Sequence, residues 1–209
     1  MKDISYPVAI VSDPIVQKTK ATTTVSVKTA STTNVSEELT VADSKLNTTL
    51  NTRSNILSRF FAYVDTELRK SGEDRPKISA DVFGMVATNS DDLGIGQVLE
   101  KILPFVDYMA PMVYPSHFAS GWNNFAKPAT KPYEVIQISM SKAVARAKAI
   151  GQDPSKLRPW LQDFNLGATY TPQMVQLEMK AVGDDGLSSW MMWDPNNRYT
   201  STKAALVKE

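Results

Sequence analysis

From residue 55 onward the chain alternates between two hydrophobic rhythms. Ile56, Phe60, Val64 and Leu68 recur at every fourth position and Gly72 follows, the spacing of an amphipathic helix with a glycine stop. In ISADVFGMVA (78–87), Ile78, Ala80 and Val82 alternate with Ser79, Asp81 and Phe83, which is the period of a strand. Ile95, Leu99 and Ile102 space a short helix that Pro104 ends, and VDYMAPMVY (106–114) is a second apolar strand. Pro132 opens a helical stretch to Gly151, with Lys142, Arg146 and Lys148 on its wet side. LRPWLQDF (157–164) is a third strand and LSSWMMWD (187–194) a fourth. Between them, Thr171 and Pro172 suit the N-cap and first turn of a helix ending near Gly183.

Strands starting near 78, 106, 157 and 187, each followed by room for a loop and a helix, predict a parallel sheet covered by helices. With a short strand at ISYPVAIV (4–11), the units fit a small doubly wound sheet or part of a (β/α)8 barrel. No GxGxxG or GxxxxGK[ST] follows a strand, so the glycine loops that cradle phosphate are missing. A complete barrel takes about 250 residues. Either the sheet is open, or the first strands of a barrel lie outside these 209 residues. Residues 19–55 break the rhythm: sixteen of these 37 are Thr or Ser, and no apolar period runs through them. A solvated loop or linker fits, with a short strand at TTTVSVKT as the alternative.

Composition narrows the function. A net charge of +1 gives no electrostatic reason to expect nucleic acid or an anionic membrane as partner. No apolar run approaches the ~20 residues that span a bilayer. The opening MKDISYPVAIVSD lacks the basic region and long apolar stretch of a signal peptide. With no cysteine, disulfides, thiolate catalysis and cysteine-based metal sites are excluded. A single histidine excludes any site built on two imidazoles. No metal and no cofactor are expected, and the compartment stays open.

In parallel α/β folds, ligands bind beyond the carboxyl ends of the strands. Those ends here are DVFG, PMVYPSHF, WLQDF and MMWDPNN, each with polar or aromatic groups that the strand starts lack. Alternation sets Asp81 opposite Ala80 and Val82, so it faces the interior or mouth, unless it makes a structural bond to a loop. Gln162 and Asp163 compete for one inward position. Counting from Arg158 and Trp160 favours Gln162, unless the strand ends before Asp163. Asp194 is a further candidate, although Asp194-Pro195-Asn196-Asn197 is also a turn sequence. Tyr114, Phe118, Trp122, Trp160 and Trp193 gather at strand ends or in the loops after them; flat rings suit sugar rings, and they also suit the capping of a core. His117 would donate to a ligand hydroxyl, act as acid or base near neutral pH, or serve as a structural hydrogen-bonder.

ISADVFG, DDLGIGQVLEKI, VDYMAPMVYPSHF, GWNNFAKPATKPYEVI, LRPWLQDF and the WMMWDPNNRY tail, in this order, resemble the bacterial "putative glycosyl hydrolase domain" family over roughly residues 53 to 200. The resemblance implies a TIM-barrel domain, often secreted or in the cell envelope, of which this chain carries the last four of eight strands. Residues 1–18, with Lys2-Asp3-Ile4-Ser5-Tyr6-Pro7, would be a remnant of strand four, 19–54 an enlarged loop, and 55–209 the C-terminal half-barrel. The implied reaction is hydrolysis of a poly- or oligosaccharide by two carboxyl groups, about 5–5.5 Å apart in retaining enzymes and about 6.5–9.5 Å in inverting ones. By analogy with amylase-like barrels, the ends of strands four, five and seven would offer Asp3, Asp81 and Asp163. Asp81 would be the general acid and Asp163 the second carboxylate or a stabiliser. Tyr114, His117, Trp122, Trp160, Gln162, Trp193 and Asp194 would line the sugar subsites. Two other expectations stand beside this one: a non-catalytic carbohydrate-binding barrel on the same rim, and an incomplete half-barrel that needs a partner or self-association through its open edges.

Overall fold

Residues 52–207 are described by the structure, a computed structural model. The readings that fall on residues 1–51, the strand-four remnant and most of the Thr/Ser segment, lie outside the described residues. Four strands form one parallel sheet in the order β1-β2-β3-β4: β1 (Ser79–Phe83), β2 (Tyr108–Met112), β3 (Trp160–Gln162) and β4 (Met191–Trp193). The helix α1 (Arg53–Arg69) precedes β1, and α2 (Leu99–Ile102), α3 (Pro132–Ala149), α4 (Pro172–Asp184) and α5 (Thr200–Leu206) follow β1, β2, β3 and β4 in turn.

The strand order decides between the two expected architectures. A doubly wound sheet reverses direction partway and carries helices on both faces. Here the order runs without reversal, and the main hydrophobic core joins one face of the sheet to the helices. Ala80, Val82, Met109 and Leu161 on the strands meet Ile102, Ile136, Met140, Ala143 and Val182 from α2, α3 and α4. On the opposite face Ser79, Asp81 and Phe83 are exposed. This is an arc of a TIM-barrel-like fold, its inner wall open among the described residues. Among the described residues its edge strands β1 and β4 each pair on one side only.

The start of the arc is fixed by ion pairs. Asp107, just before β2, accepts two hydrogen bonds from the Arg75 guanidinium, 2.8 and 2.9 Å, and one from the backbone N–H of Ile78. Burial would raise this carboxyl, but Arg75 and the Ile78 N–H outweigh it and bring the pKa down to about 2. The sequence rhythm is overridden at three places, one of them Ile95, which lies in a turn outside α2 and is exposed. Ile56 and Phe60 are 52% and 56% exposed, and α1 turns Ser54, Leu57, Phe61 and Asp65 inward instead. Polar anchors outside the helix set that rotation: Lys101 donates to Ser54 and Asn55, and Arg75 lies 3.7 Å from the Asp65 carboxylate. Arg146 is not on a wet side. Its guanidinium grips Glu100 at 2.6 and 2.5 Å and the Val86 carbonyl at 2.6 Å, tying α3 to α2 and to the turn after β1.

The sheet is unevenly stitched. Five residue pairs join β1 to β2 and three join β3 to β4. Met112↔Trp160 alone joins β2 to β3, with an isolated bridge at Met109↔Leu157. The cause is Pro111. Tyr108 bonds toward β1 and Met109 toward β3, through Tyr108 N–H to Ile78 and Arg158 N–H to Met109. Alternation therefore turns Pro111 toward β3, where it has no N–H to give. Its carbonyl is taken by the Val113 N–H at 3.0 Å. One rung is lost at that seam.

Candidate functional site

Register places the inner-face residues in rows. Asp81 pairs with Ala110, Phe83 with Met112, Met112 with Trp160, Trp160 with Met191, and Gln162 with Trp193. At the lower end of this face the Arg158 guanidinium lies 4.0 Å over the Tyr108 ring and donates to Ser189. Above it stands Asp81, exposed, with its Oδ1 accepting the indole N–H of Trp160 at 2.9 Å. The bond spans from β3 to β1 across β2. Ala110 between them carries only a methyl group, which leaves the indole room to reach. Trp193 meets Trp160 edge to face, centroids 5.9 Å apart and planes at 83°. Trp193 is 42% exposed.

A second cluster forms where the loop after β2 meets the end of β3. Tyr114 is buried and touches His117 and Phe164 edge to face, at 5.1 and 5.5 Å. Burial, then the negative potential of Asp81 and Glu178, pushes its phenol well above the usual tyrosine value. His117 sits on the rim in the turn Pro115–His117, and desolvation lowers its pKa below the ordinary imidazole value. Gln162 is fully buried; its Oε1 accepts from the N–H and hydroxyl of Ser116, and its amide donates to the Phe164 carbonyl. Gln162 thus locks the β2 loop onto β3.

Three expected site residues are engaged in holding structure. Asp163 is buried, and its Oδ2 accepts from the N–H and hydroxyl of Thr202 in the first turn of α5. Asp194 shapes the turn after β4, accepting from the N–H groups of Asn196, Arg198 and Tyr199. Burial would raise that carboxyl, but the three N–H bonds prevail and hold it below its ordinary value. Both line a polar cavity of about 270 Å³ with Asn165, Tyr170, Arg198 and Ser201. Trp122 packs on Phe118 at 4.5 Å and on Phe125 at 6.4 Å within its own loop.

Glu178 was not anticipated. It is fully buried on α4, accepting from the Gln162 N–H at 2.9 Å and from the Tyr170 hydroxyl. Burial drives its pKa up to about 8, with Asp163 adding to the rise and the two hydrogen bonds opposing it. Its signal in the sequence is a lone acid in the stripe Val175, Glu178, Ala181, Val182, where every neighbour is core. Among the described residues no group of three or more His, Asp or Glu could hold a metal ion, and no helix is long and apolar enough to cross a membrane.

An arc of parallel βα units with a carboxylate and facing tryptophans on its inner wall has the architecture of a glycoside-hydrolase-like barrel. The comparisons agree. The family described as "Putative glycosyl hydrolase domain" matches residues 20–199, and the chain belongs to that family. The match begins well upstream of residue 53, so it takes in most of the Thr/Ser-rich segment. Among solved structures, the glycoside hydrolase domain of PgaB (BpsB) from Bordetella bronchiseptica aligns with a TM-score of 0.51 at 17% identity. That alignment covers 73% of this chain and 41% of the solved one, so the chain spans less than half the length of that domain. Among curated proteins there is no match.

Proposed function

We propose that the open face of the arc binds a carbohydrate chain, with sugar rings against Trp160 and Trp193, and that Asp81 donates its proton to the glycosidic oxygen as the anomeric C–O bond breaks, while a solvent water adds to the anomeric carbon and its released proton restores the acid. One observation supports this above the others. Asp81 is the only carboxylate within the four strands, and it lies on the open face with Oδ1 oriented by the Trp160 indole. Among the described residues Oδ2 takes no protein hydrogen bond, which leaves it for a ligand. Tyr114, His117 and Gln162 border this face, and Asp163 contributes as a stabilising negative charge. A poly- or oligosaccharide is the substrate class that suits an open, aromatic-lined wall.

A second reading, carbohydrate binding without turnover, is favoured by the engagement of Asp163 with Thr202, since hydrolysis calls for two free carboxyl groups. The open edges of β1 and β4 also suit a second copy of the chain. One set of measurements separates these. Release of reducing ends from α- or β-glucans, lost in Asp81→Asn while sugar-dependent tryptophan emission persists, is the result expected for hydrolysis. Emission changes without release indicate the binding reading. Neither signal, with a mass by light scattering that grows with concentration, would sink both in favour of self-association.

A further inference from the structure

A second cavity, of about 600 Å³, opens between the loops that follow β1 and β2. Phe83 and Met112 form its floor at the top of the sheet, Met85, Leu93 and Ile95 one wall, and His117 the other. Its shape is built into the backbone. At Gly84 a Cβ would stand 2.3 Å from the Met112 carbonyl oxygen, so only glycine lets the chain turn off β1 at that point. Leu93 holds a left-handed φ of 53°, unfavourable for a branched residue. Side chains stabilise that conformation: Asp92 accepts the Gly94 N–H at 3.0 Å, and Arg53 on α1 donates to the Gly94 carbonyl. The wall therefore exists before any ligand arrives.

The lining is apolar and faces water. Phe83, Met85 and Ile95 are 56%, 38% and 45% exposed around the cavity mouth, an arrangement that costs hydration unless something apolar covers it. The volume falls within the ~300–1,000 Å³ typical of small-molecule sites. A stable protein partner would need about 800 Å² on each side, far more than three side chains around a hollow supply. The two methionines can adapt their shape to a chain or a ring. Phe83 lies two residues beyond Asp81 on the same strand face, so the cavity continues the proposed sugar site without a break.

We infer that this cavity binds the apolar part, an alkyl or aryl aglycone, of a glycoconjugate whose sugar lies on the Asp81–Trp160 face. The inference rests on the carbohydrate reading for its polar half only.

The test uses methyl, hexyl and octyl β-glucosides and sugar-free 1-octanol, titrated calorimetrically into the full chain below any micelle concentration. Each methylene placed in the cavity should tighten binding about fourfold, so octyl should bind about fifteenfold more tightly than hexyl. Ile95→Asp and Met85→Asp alter exposed positions, and circular dichroism checks that each variant folds. Both should flatten the chain-length dependence and leave methyl glucoside unchanged. If the wild-type protein shows no dependence on chain length, or if both variants keep it in full, the cavity is not the site and the inference falls. If 1-octanol binds as tightly as octyl glucoside and is lost in the variants, the cavity is confirmed and the carbohydrate reading fails instead.

Discussion

Asp107→Asn tests the electrostatic anchoring of the arc. The substitution keeps the shape and removes the charge that faces Arg75, whose guanidinium makes two of the three bonds to this carboxylate. Lowering the carboxyl from 3.8 to about 2 corresponds to about 2.4 kcal/mol of stability at neutral pH. Water reaches this pair at the rim of the sheet, and screening reduces the contribution to about 1 kcal/mol. The sign follows from the direction of the shift. A depressed carboxyl stabilises the folded state above pH 3.8, and that stability disappears as the pH falls through about 2. Urea unfolding of both proteins, followed by circular dichroism from pH 7 to pH 2, should show Asp107→Asn weaker by about 1 kcal/mol at neutral pH. The gap should close below about pH 4. A gap that stays constant down to pH 2, or never opens, would refute the ion-pair account.

Gly84→Ala should cost about 3 kcal/mol or more in the same assay, because the new methyl meets backbone of β2 rather than a side chain that can move aside; a loss under about 1 kcal/mol would mean the strand ends separate easily. Glu178 gives the opposite pH trend from Asp107. Its pKa rises from 4.5 to about 8 on folding, so the wild type should lose stability as the pH climbs between those values. Glu178→Gln should abolish that slope in melting temperatures measured from pH 5 to pH 9, and an unchanged slope would assign it to another group. Trp160→Phe removes the indole N–H and Asp81→Ala its acceptor. A double-mutant cycle on stability should return a coupling of about 1 kcal/mol, and additivity within error would show that the bond forms only weakly in solution.

The elements were legible because their apolar runs are long and punctuated. ISADVFG, VDYMAPMVY, LRPWLQDF and LSSWMMWD all contain the strands, and Thr171 caps α4, its hydroxyl accepting the Met174 N–H. The short seam between β2 and β3 was not legible, since it depends on which neighbour Pro111 faces. The place of Asp81 on the open face could be read from strand alternation alone. The role of Asp163 could not, because its partner Thr202 lies 39 residues away and nothing local marks the pairing. The rotation of α1 was hidden for the same reason: Lys101, 47 residues from Ser54, fixes which stripe turns inward. Glu178 left a trace, but a lone acid among core positions is easily taken for the polar edge of a helix.

The missing rung at Pro111 has a mechanical meaning. With fewer pairs joining β2 to β3 than joining β1 to β2 or β3 to β4, the sheet should bend most readily at that seam, and the proposed acid and its indole partner stand on opposite sides of it. Bending there would part Asp81 from Trp160 without unfolding either strand pair. A sugar ring seated on both would act as a clamp across the seam, exchanging its mobility for binding. Amide exchange should report this directly: fast at β3 in the free chain, slowed once a glycan bridges the gap, with β1 little changed.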